Sequence, residues 1–135
     1  MTPATYDYDI AVQYRDLDPR KHVNHAVYVS YLEQAKGAFF VDVLGTSLAD
    51  VDTAVRSLDV DYLAPVLPDR TARVTLGPIE VGETSYTIAY EVVADGTVAA
   101  EAETVSVLLD DDGRPRRVPD AWREHLAPYA PVDGG

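Results

Sequence analysis

A chain of 135 residues, 47% of them hydrophobic, can bury one core of ordinary size and is too apolar for a disordered class. It has no cysteine, which excludes disulfides, thiolate metal ligands and a cysteine nucleophile. A net charge of -12 argues against a nucleic-acid partner. There is no apolar run near the ~20 residues that span a bilayer, and Met1–Tyr8 is no basic-plus-apolar leader, so no membrane partner is expected and the expected compartment is the cytoplasm. The acids are 16 Asp and 7 Glu, and the bases 9 Arg and 2 Lys. Such a surface stays hydrated in high salt, which points to a halophilic habitat, although a GC-rich genome leaves a similar bias.

Tyr6–Tyr14 alternates, with Tyr6, Tyr8, Ile10, Val12 and Tyr14 on one side, and predicts a half-buried strand. A polar turn, Arg15–Val23, follows; Pro19 holds Asp18 extended. A long helix is predicted over about Asn24 to Leu44, with Asn24 as its N-cap and Gly45 as its stop. Its apolar stripe is Tyr28, Tyr31, Leu32, Ala35, Ala38, Phe39 and Val43. Gly37, mid-helix, reads as a point of close approach to a sheet. Four alternating segments come next: Thr53–Leu63, Thr71–Val81, Thr84–Ala94 and Thr97–Leu109. The last two are joined by Asp95-Gly96, a hairpin-turn dipeptide. Pro119–Leu126 predicts a short helix holding Trp122, and residues 127–135 a flexible tail. Five strands with one apolar face each and one long helix imply an α+β domain spanning 1–135, an antiparallel sheet curved around the helix. Its uncovered face and free edges call for a homodimer.

Asp16, Asp18, His22, Asn24 and His25 fall within ten residues at the strand-to-helix junction. A helix N-terminus offers unpaired N–H groups and partial positive charge there. Asp18 reads either as a turn residue before Pro19 or as a reactive carboxylate, and Asp16 as a structural strand-end residue. His22 reads as a loop histidine or as a group orienting a substrate. Asn24 serves as cap, as polarising amide, or as both. At His25 the backbone N–H is the stronger candidate than the imidazole. Tyr28, Tyr31 and Phe39 read as core or pocket wall. His-x-x-His is not a helical i, i+4 pair and no third cluster supports it, so no metal is expected.

The run Asp16-x-Asp18-x-x-x-His22-Val23-Asn24-His25-x-x-Tyr28-x-x-Tyr31-x-Glu33 resembles the signature of the hotdog-fold acyl-CoA thioesterases, in their 4-hydroxybenzoyl-CoA thioesterase / YbgC-like branch. The resemblance covers the whole chain and extends to Tyr62-x-x-Pro65 and Asp112-Gly113-Arg114. It implies a hotdog fold, a five-stranded antiparallel sheet wrapped around one long central helix. It further implies a dimer with the active site between subunits, and hydrolysis of acyl-CoA to acid and CoA with no metal or organic cofactor. It makes Asp18 the catalytic carboxylate and puts an oxyanion-binding N–H near His25. Lys21 and His25 stand where many relatives have Gly and a second Asn. Glu33 belongs to the motif but reads as facing a partner or solvent.

On this reading Asp18, His22, Asn24 and His25 form the catalytic set. Asp18 either attacks the thioester to form an anhydride or activates a water. Tyr28 and Tyr31 line the acyl pocket, and the basic cluster Arg114, Arg116 and Arg117 contacts the CoA phosphates, with Arg70 and Arg73 second. A homotetramer built from two dimers is the further expectation. A non-catalytic acyl-CoA-binding hotdog module is the alternative. A hotdog hydratase is disfavoured, because that branch's Asp/His motif is missing.

Overall fold

The computed structural model describes residues 2–68 and 70–132. Five strands form one antiparallel sheet: β1 (Tyr6–Ala11), β2 (Thr53–Tyr62), β3 (Thr71–Val81), β4 (Ser85–Ala94) and β5 (Thr97–Leu108), in the order β1-β3-β4-β5-β2. The long helix α1 (Val27–Phe39) runs on through a π-helical turn, Phe40–Leu44, and ends at Gly45, whose φ of 68° a side chain would resist. A short α2 (Asp120–Leu126) closes the C-terminal side.

The alternating patterns place the later strands within a residue or two of expectation. In β4 every second residue from Tyr86 to Ala94 is buried, and these side chains join the core that the buried face of α1 also enters. Asp95 and Gly96 have φ of 52° and 74°, the two left-handed residues of a hairpin turn between β4 and β5. At the lower end of α1, Phe40 packs edge-on against Trp122 with ring centres 5.4 Å apart. Trp122, buried, thereby seats α2, the short helix expected to hold it.

Several expectations are corrected. The first strand stops at Ala11, not Tyr14. The Val12 N–H is drawn to the Arg70 carbonyl and the Gln13 N–H to the Asp16 carboxylate, so the chain turns and leaves Tyr14 92% exposed. The helix begins three residues after Asn24. The Asn24 side chain accepts the Ala26 N–H, an Asx turn that competes with helix and is not a cap. Gly37 does not touch the sheet: a Cβ there would meet only the Leu48 side chain, at 3.8 Å. The buried face of α1 includes Lys36 and excludes Ala38. The Lys36 amine donates to Ser106 Oγ at 3.3 Å and lies over the rings of Phe40 and Tyr86. The expected tail is packed as far as Tyr129, whose ring lies 5.2 Å from that of Phe39, and Pro128 accepts the Ala4 N–H. Residues 133–135 of that tail lie outside the described residues.

The edge strand β2 pairs with β5 alone and is largely exposed along its length. Val55, Leu58 and Tyr62 are the large apolar side chains it shows to solvent. Among the described residues no helix is long and apolar enough to cross a membrane.

Candidate active site

The turn between β1 and α1 is built around two aspartates with different tasks. Asp16 faces inward. Its carboxylate accepts the Tyr31 hydroxyl and the Gln13 N–H, each at 2.8 Å, and its carbonyl accepts the Asn24 N–H. Burial, then the bond to Asp16, raise the Tyr31 phenol above its ordinary value, so it remains a donor to Asp16. Asp16 is thus the tie between turn and helix, as its structural reading held.

Asp18 faces a cleft. Its N–H donates to the His22 carbonyl and its own carbonyl accepts the Lys21 N–H, closing a tight loop over Asp18–His22. An isolated bridge between Leu17 and Val23 seals the base of the loop. Closing it holds Lys21 at φ 63°, a left-handed conformation that costs a non-glycine residue about 1 kcal/mol. Within the loop, Asp18 Oδ1 accepts the Arg20 and His22 N–H groups at 2.9 and 3.2 Å. Among the described residues Oδ2 has only the exposed Arg20 guanidinium, at 3.6 Å. The N–H donated by His22, then the N–H and charge of Arg20, hold the Asp18 carboxyl below the usual aspartate value against a desolvation that pulls the other way. Asp18 therefore presents an ionised carboxylate with one oxygen fixed and the other open.

Asp18 lines two clefts. One, of about 610 Å³, is walled by Val12, Tyr14, Leu17, Pro19, Lys21 and Pro68. The other, of about 320 Å³, brings Asp18 together with Arg20, His22, His25, Tyr28 and Tyr62. His22 spends both backbone groups on Asp18, and its imidazole lines this second cleft. In the helix-leading turn the donors of Asn24, Ala26 and Val27 are all committed, to the Asp16 carbonyl, the Asn24 side chain and the Asn24 carbonyl. The His25 N–H has no partner among the described residues. His25 itself lines this cleft, and an uncommitted donor just before a helix is of the kind that takes up an anion.

Other predicted residues lie elsewhere. Tyr31 lines a separate cleft of about 300 Å³ with Asp16, on the β1 side of the turn. Arg114, Arg116 and Arg117 sit beyond the C-terminal end of β5, whereas Tyr62 pairs with Ala100 near its start. The eight residue steps from Ala100 to Leu108 span roughly 26 Å at strand rise. Arg117 there is bound to Asp120 at 2.7 Å, and the Arg116 guanidinium donates to the Leu109 carbonyl. Arg70 pairs with Asp95 and Arg73 with Asp9. Among the described residues no group of three or more His, Asp or Glu is arranged to hold a metal ion. Tyr62 was not foreseen as a site residue. Its hydroxyl donates to the His25 carbonyl at 2.7 Å; the hints of it were its place at the end of an alternating segment and the Tyr62-x-x-Pro65 run in the resemblance.

A five-stranded antiparallel sheet carrying one long helix, with a polar loop at the helix start, is the hotdog arrangement. The chain belongs to the Thioesterase-like superfamily, whose family model matches residues 12–126. A Thermus thermophilus thioesterase, crystallised with coenzyme A and Zn, is 35% identical; the match covers 89% of this chain and 95% of that one, with a TM-score of 0.82. A predicted thioesterase from Bacillus stearothermophilus is 25% identical over 97% of this chain and 100% of its own, with a TM-score of 0.85. A thioesterase-superfamily structure from a Jannaschia species is 22% identical, a likeness of fold alone, over 98% of this chain and 99% of its own with a TM-score of 0.88. None of the curated proteins matches the chain.

Proposed function

We propose that the protein hydrolyses an acyl-CoA thioester to the free acid and CoA, with Asp18 as the reacting carboxylate. The observation that carries this reading is the pairing of an ionised carboxylate, one oxygen pinned by two backbone N–H groups, with a free backbone donor at His25 on the same cleft. Asp18 Oδ2 either bonds to the thioester carbon, giving an anhydride that water then opens, or takes a proton from the attacking water. In both routes negative charge develops on the carbonyl oxygen and the His25 N–H receives it; one such donor is typically worth about 3–4 kcal/mol in the transition state. The CoA thiolate is a good leaving group and needs no strong acid. Coenzyme A as the thiol is supported by the Thermus thermophilus relative and by a Staphylococcus aureus structure of the same fold, both crystallised with CoA.

The same reading includes a homodimer joined along β2, whose unpaired edge and apolar Val55, Leu58 and Tyr62 want cover. Antiparallel pairing of two β2 edges sets the start of one strand beside the end of the other. Only across such a pair do Arg114, Arg116 and Arg117 come near an Asp18 cleft, where they would meet CoA phosphates. Light scattering on the purified protein at the monomer mass would remove this part of the proposal.

The test of the activity is release of free thiol from acetyl-, hexanoyl-, palmitoyl- and benzoyl-CoA, followed with a thiol-reactive dye. Turnover that disappears in Asp18→Asn supports the reading. Binding of these compounds without thiol release would instead make the protein an acyl-CoA-binding module.

A further inference from the structure

We propose that Tyr62 is a positioning residue for the oxyanion donor, an inference that rests on the hydrolase reading above. Tyr62 is the last residue of the edge strand β2, and its hydroxyl reaches across to donate to the His25 carbonyl at 2.7 Å. The ring stands edge-on to Tyr28, with centres 5.1 Å apart at 88°, and edge-on to His25 at 6.2 Å and 90°. All three side chains line the cleft that contains Asp18.

What the hydroxyl holds is the direction of a neighbouring donor. The peptide between His25 and Ala26 is gripped at both ends, its carbonyl by Tyr62 and its N–H by the Asn24 side chain. The peptide between Asn24 and His25 is gripped at its carbonyl by the Val27 N–H, at 2.9 Å. With both flanking planes fixed, the backbone angles of His25 are fixed, and so is the aim of its uncommitted N–H. A non-helical three-residue turn has no helix ladder to do this for it, since α1 begins only at Val27. Without the Tyr62 hydroxyl the His25–Ala26 plane keeps only its Asn24 grip, the turn that carries the donor loosens, and the donor loses alignment at the moment charge develops on the substrate oxygen. Tyr62 touches the turn, not the reacting atoms, so its loss falls on kcat and not on substrate binding.

Tyr62→Phe keeps the ring, and with it the packing on Tyr28 and His25, while removing the one hydrogen bond. The expected result is a kcat lower by about tenfold, KM within about twofold of wild type and an unchanged fold by circular dichroism. Tyr62→Leu, which also removes the ring, should lose kcat to the same degree and lower Tm as well. The measurement runs beside wild type and Asp18→Asn on the same acyl-CoA panel. Wild-type kcat in Tyr62→Phe, with Asp18→Asn inactive, overturns the role of Tyr62 and leaves the hydrolase reading standing. A raised KM at constant kcat also overturns it, since that marks a substrate contact. No thiol release from wild type overturns the hydrolase reading and this role together.

Discussion

Replacing Asp18 by Asn separates the chemistry of that residue from its structural work. The Asn side-chain oxygen can still accept the Arg20 and His22 N–H groups that Oδ1 now holds at 2.9 and 3.2 Å, so the loop closes as before. Those bonds become neutral ones, which weakens the loop slightly and leaves the protein folded. The open oxygen becomes an NH2 group, which neither attacks a thioester nor takes a proton. Thiol release from acyl-CoA should then fall by about 100- to 10,000-fold with the protein still folded. The wild-type pH profile tests the same carboxylate. Because its folded value lies below the ordinary 3.8, Asp18 stays ionised as pH falls toward that value, and kcat/KM should hold until lower pH. The sign for stability is the same: ionised Asp18 contributes above the unfolded value, and that contribution is lost as pH falls through the depressed folded one. An Asp18→Asn variant that retains more than about a tenth of wild-type turnover would refute the reasoning, whatever becomes of the fold.

Asp16→Ala should act on stability: it leaves the buried Tyr31 hydroxyl and the Gln13 N–H without their acceptor, costs about 2 kcal/mol, and lowers Tm by about 8 °C in a thermal melt; an unchanged melt would show that the tie is idle. Lys36→Met replaces a buried amine, with Ser106 its only polar partner among the described residues, by an apolar chain of similar length, and chemical denaturation should find it neutral or up to about 2 kcal/mol more stable; a comparable loss would show that the Ser106 contact outweighs the cost of burying the amine. The solvent face of the sheet sets like charges opposite each other, Asp61 and Glu91 flanking Glu101 and Asp59 beside Glu103, so Tm should rise between about 0.1 and about 1 M NaCl as they are screened; a flat or falling Tm would contradict this.

The site owes its chemistry to a division of labour between neighbours in the chain. Asp16 and Asp18 are two residues apart, yet one carboxylate is tied to Tyr31 on α1 and the other lies in the cleft beside Arg20. The strain at Lys21 belongs to the same device: the loop that aims Asp18 closes only through a left-handed residue. A Lys21→Gly change relaxes the backbone there, and the loop gains a freedom that the wild type withholds.

What the sequence alone determined were the features governed by neighbours in the chain. Alternation located β3 to the residue and β4 and β5 to within one, and Asp95-Gly96 located their hairpin, because period-two burial and left-handed turn residues are local requirements. The recurring apolar stripe identified α1, and the family resemblance singled out Asp18 as the carboxylate to test. Tertiary structure decided the rest. Where α1 starts depended on the Asn24 side chain finding the Ala26 N–H before the helix ladder could form. Lys36, by charge a surface residue, went inside because its helical phase matched the apolar stripe and Ser106 offered its amine a partner. Tyr62 and His25 meet across 37 residues, and the arginines after β5 lie at the far end of the sheet from Asp18. Such distances follow from strand order and register, set by the packing of the whole core, and no window of neighbouring residues carries them.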